Sequence, residues 1–147
     1  MTHRTLAVLA LAAAGCAPVQ PPPSDATGAV EAMLQASADA WNGGDLDAFV
    51  SDYADQTTTS FVSRGEVRYG FSWIRDNYAP RFEPGVPRDS LRFERVAARA
   101  LGSEHLLATA RFVLFRDDSV TASGPFTLVL ERFGGEWKIV HDHTSTD

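Results

Sequence analysis

Between Leu91 and Ser145 the chain reads LRFERVAARAL, GSEH, LLATARFVLFR, DDS, VTASGPFTLVLERF, GG, EWKIVHDHTS. The four long runs, Leu91–Leu101, Leu106–Arg116, Val120–Phe133 and Glu136–Ser145, are rich in the β-branched, aromatic and aliphatic residues that suit a pleated surface. Gly102-Ser103, Asp117-Asp118 and Gly134-Gly135 stand between them. Such pairs accept the positive φ of a tight turn, so each break is a hairpin and the whole stretch is an antiparallel sheet.

What precedes the sheet is helical. Val30, Met33, Leu34, Ser37 and Trp41 fall on one face of a helix, with Ser24, Asp25 and Thr27 as available N-caps and Asn42-Gly43-Gly44 as its stop. Asp45 caps a second, shorter helix whose inner face is Leu46, Phe49, Val50 and Tyr53. Thr57–Ser63 reads as a strand, Arg64-Gly65-Glu66 turns the chain, and Gly70 opens a third helix with Phe71, Ile74 and Tyr78 on one side. Pro80, Pro84, Gly85 and Pro87 end that helix. Three helices gathered before an antiparallel sheet predict an α+β fold with the helices packed on one face.

The N-terminal end has a different character. Arg4 precedes an unbroken apolar run from Leu6 to Ala14, followed by Gly15 and Cys16. Nine residues cannot span a hydrocarbon core of about 30 Å, which needs about 20. A charged start, a short apolar middle and small residues are the anatomy of a secretory leader. Ala13-Ala14-Gly15-Cys16 resembles a bacterial lipobox, although Ala13 stands where Leu is usual. Cys16 is the single cysteine of the chain, so it can form no internal disulfide, and lipidation accounts for its position. Pro18, Pro21, Pro22 and Pro23 then make a stiff, extended tether. The organisation expected is a leader over 1–15, a tether over 16–25 and one domain over 26–147. This would be held by its lipid in the bacterial envelope, facing the periplasm or the cell surface. A length of 147 residues is one domain. There are 19 acidic against 13 basic residues and no basic run, which removes the electrostatic footprint of a nucleic-acid binder.

The order helix, short helix, strand, helix, long antiparallel strands resembles the nuclear transport factor 2-like cone. Trp41-Asn42-Gly43-Gly44-Asp45-Leu46-Asp47-Ala48 followed by Tyr53-Ala54-Asp55 resembles the opening of SnoaL-like domains. Gly65 to Gly70, Gly124 to Val129 and Trp137 to Ser145 are similar to their later turns and strands, and the ending is also similar to the association domain of calmodulin-dependent kinase II. The resemblance implies a curved, cone-shaped sheet with three helices on its concave face, a small-molecule pocket between them, and pairing of two copies through the outer sheet surface. Leu107, Val113 and Phe115 on one face and Leu106, Phe112 and Leu114 on the other agree with cover on both sides. Isomerases, cyclases, dehydratases and oligomerisation modules all use this fold, so it names no activity. The positions where the ketosteroid isomerase relatives keep a general base and an oxyanion-hole tyrosine are Phe61 and Ser37 here, and Phe126–Leu130 carries no acid. That pair of groups is absent.

Strict alternation along the last run puts Trp137, Ile139, His141, His143 and Ser145 on one face. With that face inward, Trp137 and Ile139 build a floor, and His141 and His143 stand towards the mouth as acid–base candidates. Tyr53, Trp73, Tyr78 and Arg111 complete the expected pocket. A zinc site would need a third ligand beside the two histidines, so no metal and no cofactor is expected. Two readings follow: an envelope-anchored domain that binds a small molecule, and a small-molecule enzyme using His141 or His143, with an oligomerisation module compatible with either.

Overall fold

The computed structural model describes residue 21 and residues 23–147. The leader over 1–15, lipidation at Cys16 and most of the tether lie outside the described residues.

Helix α1 (Ala26–Gly43) starts where Asp25 accepts a hydrogen bond from the Gly28 amide at 2.8 Å. It buries Val30, Leu34, Ser37, Ala38 and Trp41, the stripe expected of a helix lying on a sheet. Gly44, at φ 81°, ends it in the left-handed conformation. Asp45 caps α2 (Leu46–Val50), accepting from the Ala48 amide at 2.9 Å. The last turn of α1 is clamped to the start of the sheet. Asn42 Nδ2 donates to the Leu91 carbonyl at 2.9 Å, and the Leu91 amide donates back to Asn42 Oδ1 at 2.8 Å. Trp41 Nε1 donates to the Asp89 carbonyl at 2.8 Å. The Trp-Asn pair is therefore a bracket between helix and sheet, and the two glycines after it let the chain turn away.

The remaining elements are β1 (Ser60–Ser63), β2 (Glu66–Tyr69), α3 (Phe71–Tyr78), a 3-10 turn over Ala79–Arg81, β3 (Ser90–Ala100), β4 (His105–Arg116), β5 (Ser119–Phe133) and β6 (Glu136–Thr144). One six-stranded sheet has the order β2-β1-β6-β5-β4-β3. Every pairing is antiparallel except β1 beside β6, which is parallel, with Phe61 opposite Asp142. The hairpin turns are the expected ones: Arg64-Gly65, Asp117-Asp118 and Gly134-Gly135 all have positive φ at both central residues. The sequence predicts only a turn between β1 and α3, and strand β2 is an addition to it. Val67 and Tyr69 alternate with Glu66 and Arg68, but all four residues are exposed, and pairing with β1 rather than burial makes this a strand.

The core lies between the helices and the inner sheet face. Val30, Leu34 and Trp41 of α1 and Ile74 of α3 join Leu106, Ala108, Leu128, Leu130 and Ile139 there. The three helices do pack on one face of the curved sheet, as the α+β reading expected.

One irregularity redirects the site. Leu130 pairs with Ile139 and Val129 with His141, so Val140 is an extra residue, a β-bulge. Ile139 and Asp142, three residues apart, are the two buried positions of β6. The expected alternation holds up to Ile139 and is then shifted by one. Beyond the bulge Asp142 faces inward, and His141, opposite Val129, faces out.

Candidate functional site

The inner sheet face and the helices leave a cavity of about 620 Å³ between them. Its walls are mostly apolar: Leu34, Trp41 and Phe49 from the helices, and Leu91, Phe112 and Leu128 from the sheet. Trp41, Phe49 and Tyr78 pack edge to face, with Phe49 and Tyr78 ring centroids 4.9 Å apart. The volume and lining are those of a small-molecule site.

The polar pole of this cavity is Asp142, which is only 5% exposed. Tyr53 Oη donates to its Oδ2 at 2.7 Å, and Thr144 Oγ1 donates to its Oδ1 at 2.7 Å. Tyr53 is brought there by the segment after α2. The Ile139 amide donates to the Asp52 carbonyl at 2.7 Å, and the Ala54 amide donates to the Ile139 carbonyl at 2.9 Å. This tie to β6 places Tyr53 and Asp142 side by side although 89 residues separate them.

Burial pushes the Asp142 carboxyl above its ordinary range, against the bonds from Thr144 and Tyr53 and the fields of His141 and His143. Burial, and then the charge of Asp142, hold the Tyr53 and Tyr78 hydroxyls well above the usual tyrosine value. These phenols therefore act as hydrogen-bond donors throughout the physiological range. Asp52 lines the same cavity, and burial pushes its carboxyl up to about 6 against the pull of Lys138.

An acid raised in this way favours folding below its unfolded pKa, and that advantage disappears as the pH climbs from about 4 to about 6. Asp52→Asn should therefore flatten this part of the stability profile, and above about pH 6 it should be more stable than the parent by about 1–3 kcal/mol. Urea midpoints measured on both sides of this window read the difference; parallel profiles would show that Asp52 is not the group responsible.

The expected site residues separate into two groups. Tyr53, Tyr78 and His143 line the cavity, with His143 exposed at its edge. His141, Trp137, Trp73 and Arg111 do not. The His141 Nδ1 lies 2.8 Å from Ser60 Oγ, and the Arg132 guanidinium stacks 4.6 Å from the Trp137 ring. Trp73 packs on Phe61 in an adjoining crevice. Arg111 pairs with Asp147 and donates to Ser123 Oγ at 3.2 Å. That pairing depends on the chain after β6 lying close to β5: a Cβ on Gly124 would fall 1.9 Å from the Ser145 carbonyl oxygen, so only glycine fits.

Asp142 is the residue that strict alternation missed, because alternation cannot anticipate a bulge. One signal was present: Asp142 is the only carboxylate between Trp137 and Thr146, in a run otherwise suited to burial. Phe61 and Ser37 do line the cavity, so the two positions singled out as lacking an acid and a tyrosine are wall positions. Phe126–Leu130 brings no acid, and Asp142 supplies one from the adjacent strand, directly opposite Leu128.

Comparisons with known proteins agree with this architecture. A nuclear transport factor 2-like protein of unknown function from Shewanella oneidensis MR-1 is 27% identical, with a TM-score of 0.72 over 81% of this chain and 98% of that one. A protein with a cystatin-like fold from Nostoc punctiforme PCC 73102 is 6% identical, with a TM-score of 0.70 over 86% of this chain and 94% of that one. A Xanthomonas campestris protein assigned to the calcium/calmodulin-dependent protein kinase II association domain is 17% identical, with a TM-score of 0.61 over 80% of this chain and 85% of that one. A search of curated proteins finds no match. The model of the SnoaL-like domain matches residues 30–146, which takes in every helix but the first turn of α1 and every strand around the cavity: the chain belongs to the SnoaL-like domain family.

Proposed function

We propose that this is a small-molecule-binding domain carried on a lipid-anchored tether in the bacterial envelope. The observation that carries the binding reading is the cavity itself, apolar over most of its wall and ending in the hydrogen-bonded Tyr53, Asp142 and Thr144. A ligand would bury an apolar body and offer a polar group to this pole. Anchoring rests on the leader-like run before Cys16, and membrane fractionation of Cys16→Ser tests it. A second copy is the proposed cover for the outer sheet face, where Leu107 and Phe115 are half-buried and Val113 is already covered within the chain, and sedimentation tests that.

Native mass spectrometry of the purified chain should find a bound small molecule. Leu114 lines the cavity and is only half-buried, so Leu114→Trp should fill the space without breaking the core, and the bound mass should be lost. A folded parent chain without a bound mass, and no uptake of added apolar compounds, would overturn the binding reading.

A second reading is favoured by one observation: Asp142 is a buried carboxyl with a raised pKa facing an apolar cavity, the environment of a proton-transfer group. On this reading the acid–base group of an isomerase-, cyclase- or dehydratase-type reaction is Asp142, with Tyr53 as donor, rather than His141 or His143. Chemical change of the identified ligand by the parent but not by Asp142→Asn would select it.

A further inference from the structure

The six exposed residues that line the cavity are Arg64, Gly65, Arg81, His143, Ser145 and Thr146, so they form its mouth. Two are arginines, one is a histidine and none is an acid. This is the reverse of a chain with 19 acidic and 13 basic residues. Glu66, next to this turn, is engaged with Arg68 at 2.5 Å, and the carboxylates that line the cavity are the buried Asp142 and the half-buried Asp52 rather than residues of the mouth. Among the described residues Arg64, Arg81, Arg88, Arg95, Arg99 and Arg132 have no carboxylate within ion-pair distance, whereas Arg68, Arg75, Arg92, Arg111 and Arg116 each have one, and of the six without a partner only Arg64 and Arg81 line the cavity.

Both arginines line the cavity together with Asn77. Arg81 Nη1 donates to the Asn77 carbonyl at 3.1 Å and its guanidinium lies 5.8 Å from the Tyr78 ring, which holds the side chain at the rim. Arg64 and Asn77 together line the adjoining crevice. Arg64 occupies the first central position of the β1–β2 turn at φ 52°, where Asn, Asp or Gly is the unstrained choice. Arg95 is likewise at positive φ without an ion pair, and what sets Arg64 apart is that it opens onto the cavity.

We infer that the ligand is an amphipathic anion, an apolar body in the cavity with a carboxylate, sulfonate or phosphate group held at the mouth by Arg64 and Arg81. This rests on the binding reading above and adds the chemical class. Arginine offers a planar fork of donors matched to such groups, and the charge also steers an anion to the entrance. The deep pole, where Tyr53 and Thr144 already bond Asp142, stays free for a neutral polar group of the ligand.

Two fluorescent probes with one ring system separate the parts of this inference: anilinonaphthalene sulfonate, which is anionic, and N-phenylnaphthylamine, which lacks the sulfonate. Both should bind the purified parent chain, and both should be lost in Leu114→Trp. Arg64→Gln combined with Arg81→Gln should raise the Kd of the sulfonate about ten-fold, the scale of losing charged hydrogen bonds, and leave the amine unchanged. Arg75→Gln, which removes the same charge from a guanidinium paired with Asp47 outside the cavity, should change neither. If both probes bind and the double variant shifts neither, or both equally, the anion inference falls and the binding reading stands. If the parent takes up neither probe, both fall.

Discussion

Trp41→Ala should cost about 3–5 kcal/mol, the range for removing a buried large aromatic. Trp41 is 4% exposed and its ring meets Phe49 and Phe82 at centroid distances of 5.1 and 5.3 Å. It is also half of the bracket between α1 and the sheet, through its bond to the Asp89 carbonyl. Against a total stability of about 5–15 kcal/mol for a domain, this is a large fraction. Trp41→Phe retains a ring and loses only the indole donor, so about 1 kcal/mol is expected. Urea unfolding of both variants gives the two numbers. The alanine variant should also lose N-phenylnaphthylamine binding, since Trp41 is a cavity wall. A loss below about 1 kcal/mol for alanine would mean that the wall collapses onto the space at little cost.

At position 142 two substitutions should have different outcomes. Asp142→Leu leaves the Tyr53 hydroxyl buried without an acceptor, a penalty of about 1–3 kcal/mol. Asp142→Asn keeps the shape: its carbonyl can accept from Tyr53, and its amide can donate to Thr144 Oγ1. It also removes a charge that burial disfavours. Because the folded pKa lies above the unfolded value, the parent has its Asp142 contribution only below about pH 4, and loses it as the pH rises through the raised folded value. The stability of Asp142→Asn relative to the parent should therefore increase with pH. Denaturation midpoints measured from about pH 4 upwards test this. A gap that shrinks as the pH rises would show that the hydrogen bonds and the neighbouring histidines outweigh burial.

Local chemistry was readable without the fold. Asp25 and Asp45 are helix caps because their carboxylates reach amides three residues on, and Asp117-Asp118 and Gly134-Gly135 are turns because they accept positive φ. The helical stripe through Val30, Leu34 and Trp41 and the four long strands follow from periodicity, so the α+β class, the helix order and the hairpin order could all be derived from the residues alone. The general membership of the pocket could be derived in part, since Tyr53 and Tyr78 lie on the apolar faces of their segments.

What the tertiary structure alone decided is the chemistry of that pocket. Strand β2 has no buried side chain, so its existence depends on β1. The parallel seating of β1 on β6 joins segments about 80 residues apart, and nothing local specifies it. Most consequential is the bulge at Val140. A strand alternates with period two, and one extra residue exchanges its faces. It moves His141 to the outer surface, against Ser60, and turns Asp142 inward onto Tyr53. Whether a strand bulges is settled by how its neighbours pair and pack along its whole length, and those neighbours meet only in the folded chain.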